Sequence, residues 1–311
     1  MTKVERRPRA GVIGAGAFGR HHARKYAEDA RVIFAGVWDP DGERAEMLAD
    51  THGAPAFDTL AALLAASDIV TIASPPSTHA ANAKAALEAG KHVLVEKPLA
   101  TERDAGAELV RIAAENKLVL ACGHQERLVF EAMELFKTPE QPTLIESVRE
   151  GPWTGRSADV SVTLDLAVHD LDLALKLMGR KPDRVSAKAR AEHGVAADWI
   201  EARLGFGDAE AVFTSSRVAA ERRRTMRAVY PTGEVKIDFL ARTFENSTGF
   251  ALNAAFAETR IGADPLGANV SIFIDAVLGV AARPVATGAE ALAVLELALD
   301  VDKSSGFPSH T

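Results

Sequence analysis

The chain has 311 residues, of which 47% are hydrophobic and 25% charged, a composition typical of globular enzymes and not of disordered or fibrous chains. Its formal net charge of -7 argues against nucleic acid or an anionic membrane surface as the main partner. No apolar run has the length of a membrane span, residues 1–9 contain no signal-peptide core, and the single Cys122 excludes a disulfide framework. We therefore expect a cytoplasmic protein that binds a small molecule.

Short apolar runs alternate with helical periodicity in the first part of the chain. Strands are predicted at residues 10–13, 32–38, 69–73, 93–96 and 118–122, and helices at 18–29, 45–52, 60–66, 78–89 and 101–116. Buried strands separated by helices predict a parallel, doubly wound α/β sheet. We place the end of this first domain at residue 122.

After Gly123 the pattern changes to runs of strands separated by short turns. Strands are predicted at residues 143–150, 184–192, 199–206, 210–218, 225–229 and 235–239, and helices at 163–178, 266–278 and 288–304. Thr287 and Glu290 have the spacing of a capping box at the start of the last helix. The pattern predicts an α+β domain over residues 123–311, with an open antiparallel sheet and helices on one face.

A glycine-rich turn follows the first predicted strand, with the sequence Gly14-Ala15-Gly16-Ala17-Phe18-Gly19. G-x-G-x-x-G between a strand and a helix is the context in which backbone N–H groups bind a dinucleotide pyrophosphate, so Gly14, Gly16, Ala17, Phe18 and Gly19 are candidate cofactor residues. Asp39 ends the second strand, where a carboxylate binds ribose hydroxyls and repels a 2′-phosphate. NAD is therefore expected over NADP, while Arg44 leaves the strictness of that preference open.

Two further loops follow strands of the same predicted sheet. Ser74-Pro75-Pro76 stiffens the first of them, and His79 begins the next helix, either facing the cofactor or as an ordinary helix residue. Glu96 and Lys97 end the fourth strand just before a proline, which restricts Lys97 to extended backbone. Because ligands bind beyond the carboxyl ends of parallel strands, we expect Glu96 and Lys97 to contact cofactor or substrate.

Asp165 and His169 are four residues apart in the long helix of the second domain, so they share one helix face, which Asp172 continues. Three interpretations stay open. One is a metal site formed by the three residues, without a supporting His or Cys cluster, and another is a solvated polar face. The third is a histidine that acts as a general acid or base and is oriented by a carboxylate.

The order of these motifs resembles the Gfo/Idh/MocA family of oxidoreductases, over nearly the whole chain. The resemblance places the family's E-K-P lysine at Lys97 and its D-x-x-x-H pair at Asp165 and His169. It implies NAD(P)-dependent oxidation of a sugar or cyclitol hydroxyl, or the reverse, without a metal. In that reaction His169 takes the hydroxyl proton, Asp165 orients the imidazole, and Lys97 hydrogen-bonds to the developing oxygen.

Segments 123–127 and 159–170 resemble the branch of this family that oxidises the 3-hydroxyl of UDP-N-acetylglucosamine on the way to lipid A. The alternatives are a dehydrogenase of a free cyclitol or aldose and a non-catalytic dinucleotide-binding sensor. A set of arginines in the second domain offers either a diphosphate site or a solvated strand face: Arg217, Arg222, Arg223, Arg224 and Arg227. The family's assemblies, and a sheet with one uncovered face, imply a homodimer or homotetramer.

Overall fold

A computed structural model describes residues 6–310. Residues 1–5, part of the N-terminal segment 1–9 in which no signal-peptide core is predicted, lie outside the described residues. The chain divides into two compact units. Unit 1 comprises the residues up to Ala100, Asp104–Gly123 and Leu266–Leu292, and unit 2 comprises Thr101–Arg103, His124–Pro265 and Ala293–Thr311. Leu266–Leu292 therefore packs with the first unit, although it lies within the second of the two sequence-predicted domains.

The strands and helices follow the predicted order, with shifts of one to three residues at most ends. The strands are β1 Arg9–Ile13, β2 Ile33–Trp38, β3 Ile69–Ile72, β4 His92–Val95, β5 Leu120–Cys122, β6 Leu144–Glu150, β7 Arg184–Arg190, β8 Trp199–Phe206, β9 Ala209–Ser216, β10 Arg223–Tyr230, β11 Gly233–Asp238 and β12 Thr243–Asn246. The helices are α1 Ala17–Glu28, α2 Gly42–Thr51, α3 Leu60–Ala66, α4 His79–Glu88, α5 Arg103–Glu115, α6 Glu126–Met133, α7 Val168–Met178, α8 Arg260–Ala263, α9 Pro265–Val277 and α10 Gly288–Ser305.

Unit 1 contains a five-stranded parallel sheet in the order β2-β1-β3-β4-β5. Ala56 adds an isolated parallel bridge to Val37 on the outer side of β2, where a further strand stands in a dinucleotide-binding sheet. The chain reverses direction across the sheet between β1 and β3. In such sheets the ligand crevice lies at this reversal, outside the carboxyl ends of the strands. The predicted parallel α/β sheet is confirmed.

Apolar side chains cover both faces of this sheet, as a parallel sheet requires. One cluster includes Leu63, Leu87 and Leu109 from three of the helices that cross over the sheet. The other includes Phe273 and Ile274 of α9, a helix that the chain reaches more than 140 residues after β5 ends. The helical layer on this second face is thus completed by a segment distant in the chain.

Unit 2 contains a seven-stranded sheet in the order β12-β11-β10-β6-β9-β8-β7. Its neighbouring strands are antiparallel except for β6 and β9, which are parallel, so the predicted antiparallel sheet is confirmed apart from this one pair. Tight turns force β8–β9 and β10–β11 to be antiparallel, whereas α7 and two strands separate β6 from β9 in the chain. No turn therefore fixes the direction of that pair.

Three elements of unit 2 were not predicted from the sequence. Helix α6 follows the first domain directly, the four-residue β12 forms the edge of the sheet, and the four-residue helix α8 precedes α9. The predicted long helix at 163–178 is present but begins with a π-helical turn at Thr163–Ala167 before α7. Gly179 ends it at φ 64, the left-handed geometry that favours glycine.

The capping box at the start of α10 is confirmed. The Thr287 N–H donates to Oε2 of Glu290 at 3.0 Å, and the Glu290 N–H donates to Oγ1 of Thr287 at 3.3 Å. Within residues 6–310, no helix combines the length and the apolar character that crossing a membrane requires.

Candidate functional site

The glycine-rich turn in unit 1 has the shape that its sequence predicts. Gly14 has a φ of 102°, and a Cβ there would lie 2.7 Å from the carbonyl oxygen of Ala73. A Cβ at Gly19 would lie 1.9 Å from the carbonyl oxygen of Gly14, so the start of α1 packs directly on the turn. By contrast, no atom lies within 4 Å of a Cβ built on Gly16, the exposed residue that precedes α1.

The N-terminus of α1 is open, as an anion site requires. Gly16 is the N-cap, and no side chain of the described residues provides a capping hydrogen bond there. Ala17 is exposed and Phe18 half-buried, so the first turn keeps its backbone donors near the surface. Unpaired N–H groups and the helix dipole attract a phosphate at this position. These residues fit the pyrophosphate of a dinucleotide.

Asp39 lies beside the glycine-rich turn. Its Oδ2 accepts the backbone N–H of Ala15 at 2.7 Å, and its Oδ1 accepts that of Asp41 at 2.9 Å. The carboxylate is therefore fixed at the carboxyl end of β2, where ribose binding is expected, and each oxygen keeps a free lone pair. The exposed guanidinium of Arg44 lies 2.9 Å from the half-exposed carboxylate of Asp41, with which it forms an ion pair.

The loop after β3 is held from inside by His79. Its Nδ1 lies 2.7 Å from the carbonyl oxygen of Pro98, and its Nε2 lies 2.9 Å from that of Ser74. Burial disfavours the charged ring and lowers the pKa of His79. Both nitrogens thus face the protein's own backbone, so His79 joins two loops and does not present a ring nitrogen to a cofactor. Pro75, exposed, and Pro76, half-buried, form the outer surface of this loop.

Glu96 and Lys97 leave the end of β4 in different environments. Glu96 is buried against His22 of α1, with Oε1 and Nε2 2.7 Å apart, whereas Lys97 is half-buried. Burial alone would raise the pKa of Glu96, but the hydrogen bond from His22 and nearby positive charge lower it overall. Glu96 is therefore an internal anion that supports the segment, and the Lys97–Pro98 peptide bond that follows is cis.

In unit 2, the side chains of Asp165 and His169 are partly exposed at the start of the long helix, where most of the neighbouring residues are buried. Asp165 lies in the π-helical turn, and His169 lies in the first turn of α7. Such widened turns occur often at functional sites, because they change which side chains share a face. Orientation of His169 by Asp165 stays a prediction.

A buried ionic network lies directly beside His169. Arg149 of β6 donates to Asp170 at 2.8 and 2.9 Å, and to the two oxygens of Glu126 at 2.9 and 2.6 Å. Oε1 of Glu126 lies 3.9 Å from Nδ1 of His169. Although burial acts in the opposite direction, the two carboxylates raise the pKa of Arg149. Glu126, in the unpredicted helix α6, is thus a carboxylate neighbour of the candidate base.

Asp172 belongs to a second buried pair and not to the face of His169. Arg127 donates to Oδ2 of Asp172 through Nε at 2.8 Å, and Nδ1 of His124 lies 3.7 Å from the same oxygen. With its carboxylate occupied by a guanidinium, Asp172 is a poor metal ligand. Among residues 6–310 there is no group of three or more His, Cys, Asp or Glu side chains that could hold a metal ion.

An open helix N-terminus at a parallel sheet, a fixed carboxylate at the ribose position and a second unit with a partly exposed histidine are features of a dinucleotide-dependent oxidoreductase. Two family models match the chain: the oxidoreductase family with an NAD-binding Rossmann fold over residues 8–124, and the GFO/IDH/MocA C-terminal domain over residues 135–236. The chain belongs to the Gfo/Idh/MocA family and contains an NAD-binding domain.

Several known proteins are similar to this chain. UDP-N-acetylglucosamine 3-dehydrogenase of Acidithiobacillus ferrooxidans is 39% identical over 238 residues, which cover 76% of this chain and 75% of that enzyme. A solved structure of that enzyme, GnnA, has a TM-score of 0.87 and 35% identity, with 97% of this chain and 99% of GnnA covered. The WlbA dehydrogenase of Bordetella pertussis, crystallised with NADH and UDP-GlcNAcA, shares the fold at a TM-score of 0.85, 21% identity and coverage of 97% and 96%.

Proposed function

We propose that this protein oxidises the 3-hydroxyl of UDP-N-acetylglucosamine to a ketone with NAD. The observation that carries the proposal is the 39% identity, over three quarters of both chains, to an enzyme of that name. It is supported by the presence of Lys97, Asp165 and His169 at the positions that the family motifs require. A sensor that only binds a dinucleotide would not need those three residues.

The chemistry divides between cofactor and protein. NAD held at the N-terminus of α1 and at Asp39 would supply the acceptor for the hydride of the carbinol carbon, and the hydroxyl proton would leave to a base of the protein. His169 is that base in our proposal, because it matches the histidine of the family's D-x-x-x-H pair and its ring is partly exposed. Glu126, 3.9 Å from Nδ1, stabilises the positive charge that the ring gains with the proton. Asp165 orients the ring.

Lys97 has a separate role in the proposal. Its ammonium group donates a hydrogen bond to the substrate oxygen, which gains negative charge as the proton leaves and is then converted to a carbonyl. The backbone before it is fixed, because the Glu96 N–H donates to the carbonyl oxygen of Ile72 at 2.9 Å and the Glu96 side chain is buried. A donor on a rigid strand end costs little reorganisation during the reaction.

The proposal extends to context and assembly. The 3-keto sugar would be the substrate of an amination step on the way to lipid A, and the protein would be a homodimer or homotetramer. The outer face of the unit 2 sheet supports assembly, because its side chains stay partly exposed in a single chain while the opposite face is buried. Light scattering on the purified protein would give its mass in solution.

The test is oxidation of candidate substrates with NAD, followed by the absorbance of NADH. Because NAD oxidises sugars unfavourably at equilibrium, the ketone is trapped with a carbonyl reagent or an aminotransferase. We expect NADH with UDP-N-acetylglucosamine, and none with UDP-glucose, glucose or myo-inositol. NADH from myo-inositol or glucose alone would contradict the proposal and favour the free-sugar alternative. The absence of NADH with every substrate, together with intact NAD binding, would favour the sensor.

A further inference from the structure

The five arginines of the second domain fall into different classes once their strand positions are known. In β10 the even-numbered residues from Met226 onward are buried, whereas Arg223 and Arg227 point to the outer face of the sheet. There Arg223 pairs with Glu150 at 3.1 Å, and Arg227 pairs with two glutamates at 2.6 Å each. Both therefore lie on the side of the sheet opposite α7, with their charges neutralised.

Arg217 is also committed to the fold. Its Nε donates to Oδ1 of Asp198 at 2.6 Å, and its Nη1 lies 2.8 Å from the carbonyl oxygens of Ser157 and Val160. The side chain is almost fully buried, so it holds a loop and does not face a ligand. Only Arg222 and Arg224 remain without an ion pair to any carboxylate among residues 6–310.

Arg224 lies where a bound anion would stabilise it. It lies directly opposite Arg149 in the antiparallel pair of β10 and β6, and opposite residues point to the same face. Like charges in that arrangement are destabilising. Burial, followed by the charge of Arg149, lowers the pKa of Arg224; Arg222 acts in the same direction, whereas Glu126 and Asp170 oppose the shift. The guanidinium is half-buried, and within residues 6–310 it has no hydrogen-bond or ion-pair partner.

This position is next to the candidate base. Arg149 shares Glu126 with His169, since Oε1 of that glutamate lies 2.9 Å from the arginine and 3.9 Å from the ring nitrogen. Arg222 is exposed and directly precedes β10, so it adds positive charge at the surface beside Arg224.

We propose that Arg222 and Arg224 bind the phosphate oxygens of the substrate, which makes them the diphosphate-recognition residues of the nucleotide-sugar site. The proposal deepens the proposed function and rests on it for the identity of the ligand that carries the phosphate groups. An arginine presents two parallel N–H groups to a phosphate, a geometry that lysine does not reproduce. A nucleoside diphosphate and a sugar monophosphate share this chemistry, so the experiment includes both.

The experiment is calorimetric titration of UDP, uridine and glucose 6-phosphate into the NAD-bound protein. Wild type is compared with Arg222→Gln, Arg224→Gln and the double variant. Arg223→Gln is the matched control, because it removes the same charge from the same strand on the outer face. We expect the double variant to bind UDP at least about tenfold more weakly than wild type, a loss of about 1.4 kcal/mol, with Arg223→Gln unchanged. Uridine should bind all variants equally.

The outcomes separate the two proposals. UDP binding that is equal in wild type and the double variant overturns the arginine site, even if UDP-N-acetylglucosamine is oxidised. Arginine-dependent binding of glucose 6-phosphate without binding of UDP keeps the arginine site and contradicts the nucleotide-sugar function. If Arg224→Gln fails to fold, the exposed Arg222→Gln still provides the test through the salt dependence of UDP affinity, which should be weaker than in wild type. An unchanged salt dependence there overturns the proposal.

Discussion

Nε2 of His22 lies 2.7 Å from Oε1 of Glu96, and both side chains are almost fully buried. The pair joins α1, the helix that begins at the cofactor turn, to the residue before Lys97. Gly123 completes the contact from a third side, since a Cβ there would lie 2.7 Å from Oε2 of Glu96. A buried carboxylate that loses its ion-pair partner destabilises the folded state, so the two residues stabilise unit 1 as a pair.

His22→Ala is therefore expected to lower the free energy of unfolding by about 3 kcal/mol, because it leaves the Glu96 carboxylate buried without its partner. His21→Ala is the matched control, since His21 is the adjacent residue and is exposed. Urea unfolding of the two variants and wild type measures the difference. Equal stability of the two variants would show that the pair contributes little.

Stability should also depend on Asp302, which accepts hydrogen bonds from the hydroxyls of Ser161 and Thr163 at the start of the long helix. Burial raises the pKa of Asp302 from 3.8 to about 6. The folded protein thus holds this proton more tightly than the unfolded chain. Its contribution to stability is present below the unfolded pKa, falls as pH rises from 3.8 to about 6, and stays at its minimum above that.

Asp302→Asn removes this ionisation. Its free energy of unfolding should therefore increase relative to that of wild type as pH rises, by up to about 3 kcal/mol above pH 6. Denaturant unfolding across the acidic and neutral range measures the gain. Asp300→Asn, a half-exposed carboxylate on the same helix, is the control and should change little between these pH values. A stability difference between Asp302→Asn and wild type that is the same at every pH would contradict the role of burial.

Cofactor preference should depend on the charge of Asp39. Asp39→Asn keeps an acceptor for the Ala15 N–H but removes the repulsion of a 2′-phosphate, so we expect the ratio of NAD to NADP affinity to fall by about tenfold. Fluorescence titration of both reduced cofactors measures it, and Asp41→Asn is the control for loss of a neighbouring charge. A wild type that prefers NADP would contradict the role of Asp39.

Lys97→Ala and His169→Ala should each lower turnover by at least about a hundredfold, the usual contribution of a positioned proton donor or acceptor. NAD affinity should stay close to that of wild type, because the pyrophosphate and ribose sites are unchanged. Initial rates and NAD titrations are compared with those of Lys91→Ala, a half-buried lysine before β4. Near-normal turnover of either active-site variant would remove that residue from the mechanism.

Much of unit 1 could be predicted from the sequence because its information is local. A short apolar strand, a glycine turn and a helix period are all read within about 30 residues, and the order β1-α1-β2 follows from them. Asp39 could be placed for the same reason. The role of His22 could not, because its partner Glu96 is 74 residues away and nothing near His22 marks it.

Unit 2 was harder because its contacts are distant in the chain. Helix α6 has eight residues and no side-chain cap, too short for a clear period. Glu126 was therefore not predicted as the neighbour of His169. Asp172 was predicted on the same helix face as His169, but in the structure its carboxylate pairs with Arg127. The arginines look alike in sequence. Only the pairing of β10 with β6 separates Arg224 from Arg223.

The return of Leu266–Leu292 to unit 1 affects how the protein is made. When residue 124 leaves the ribosome, the sheet still lacks Phe273 and Ile274 of α9, and part of one apolar face is exposed. At usual rates of translation the ribosome needs roughly 10 to 30 seconds to reach that helix, while the segment from His124 to Pro265 emerges. We expect this apolar face to need protection from aggregation during that interval, and a protein truncated after residue 124 to aggregate.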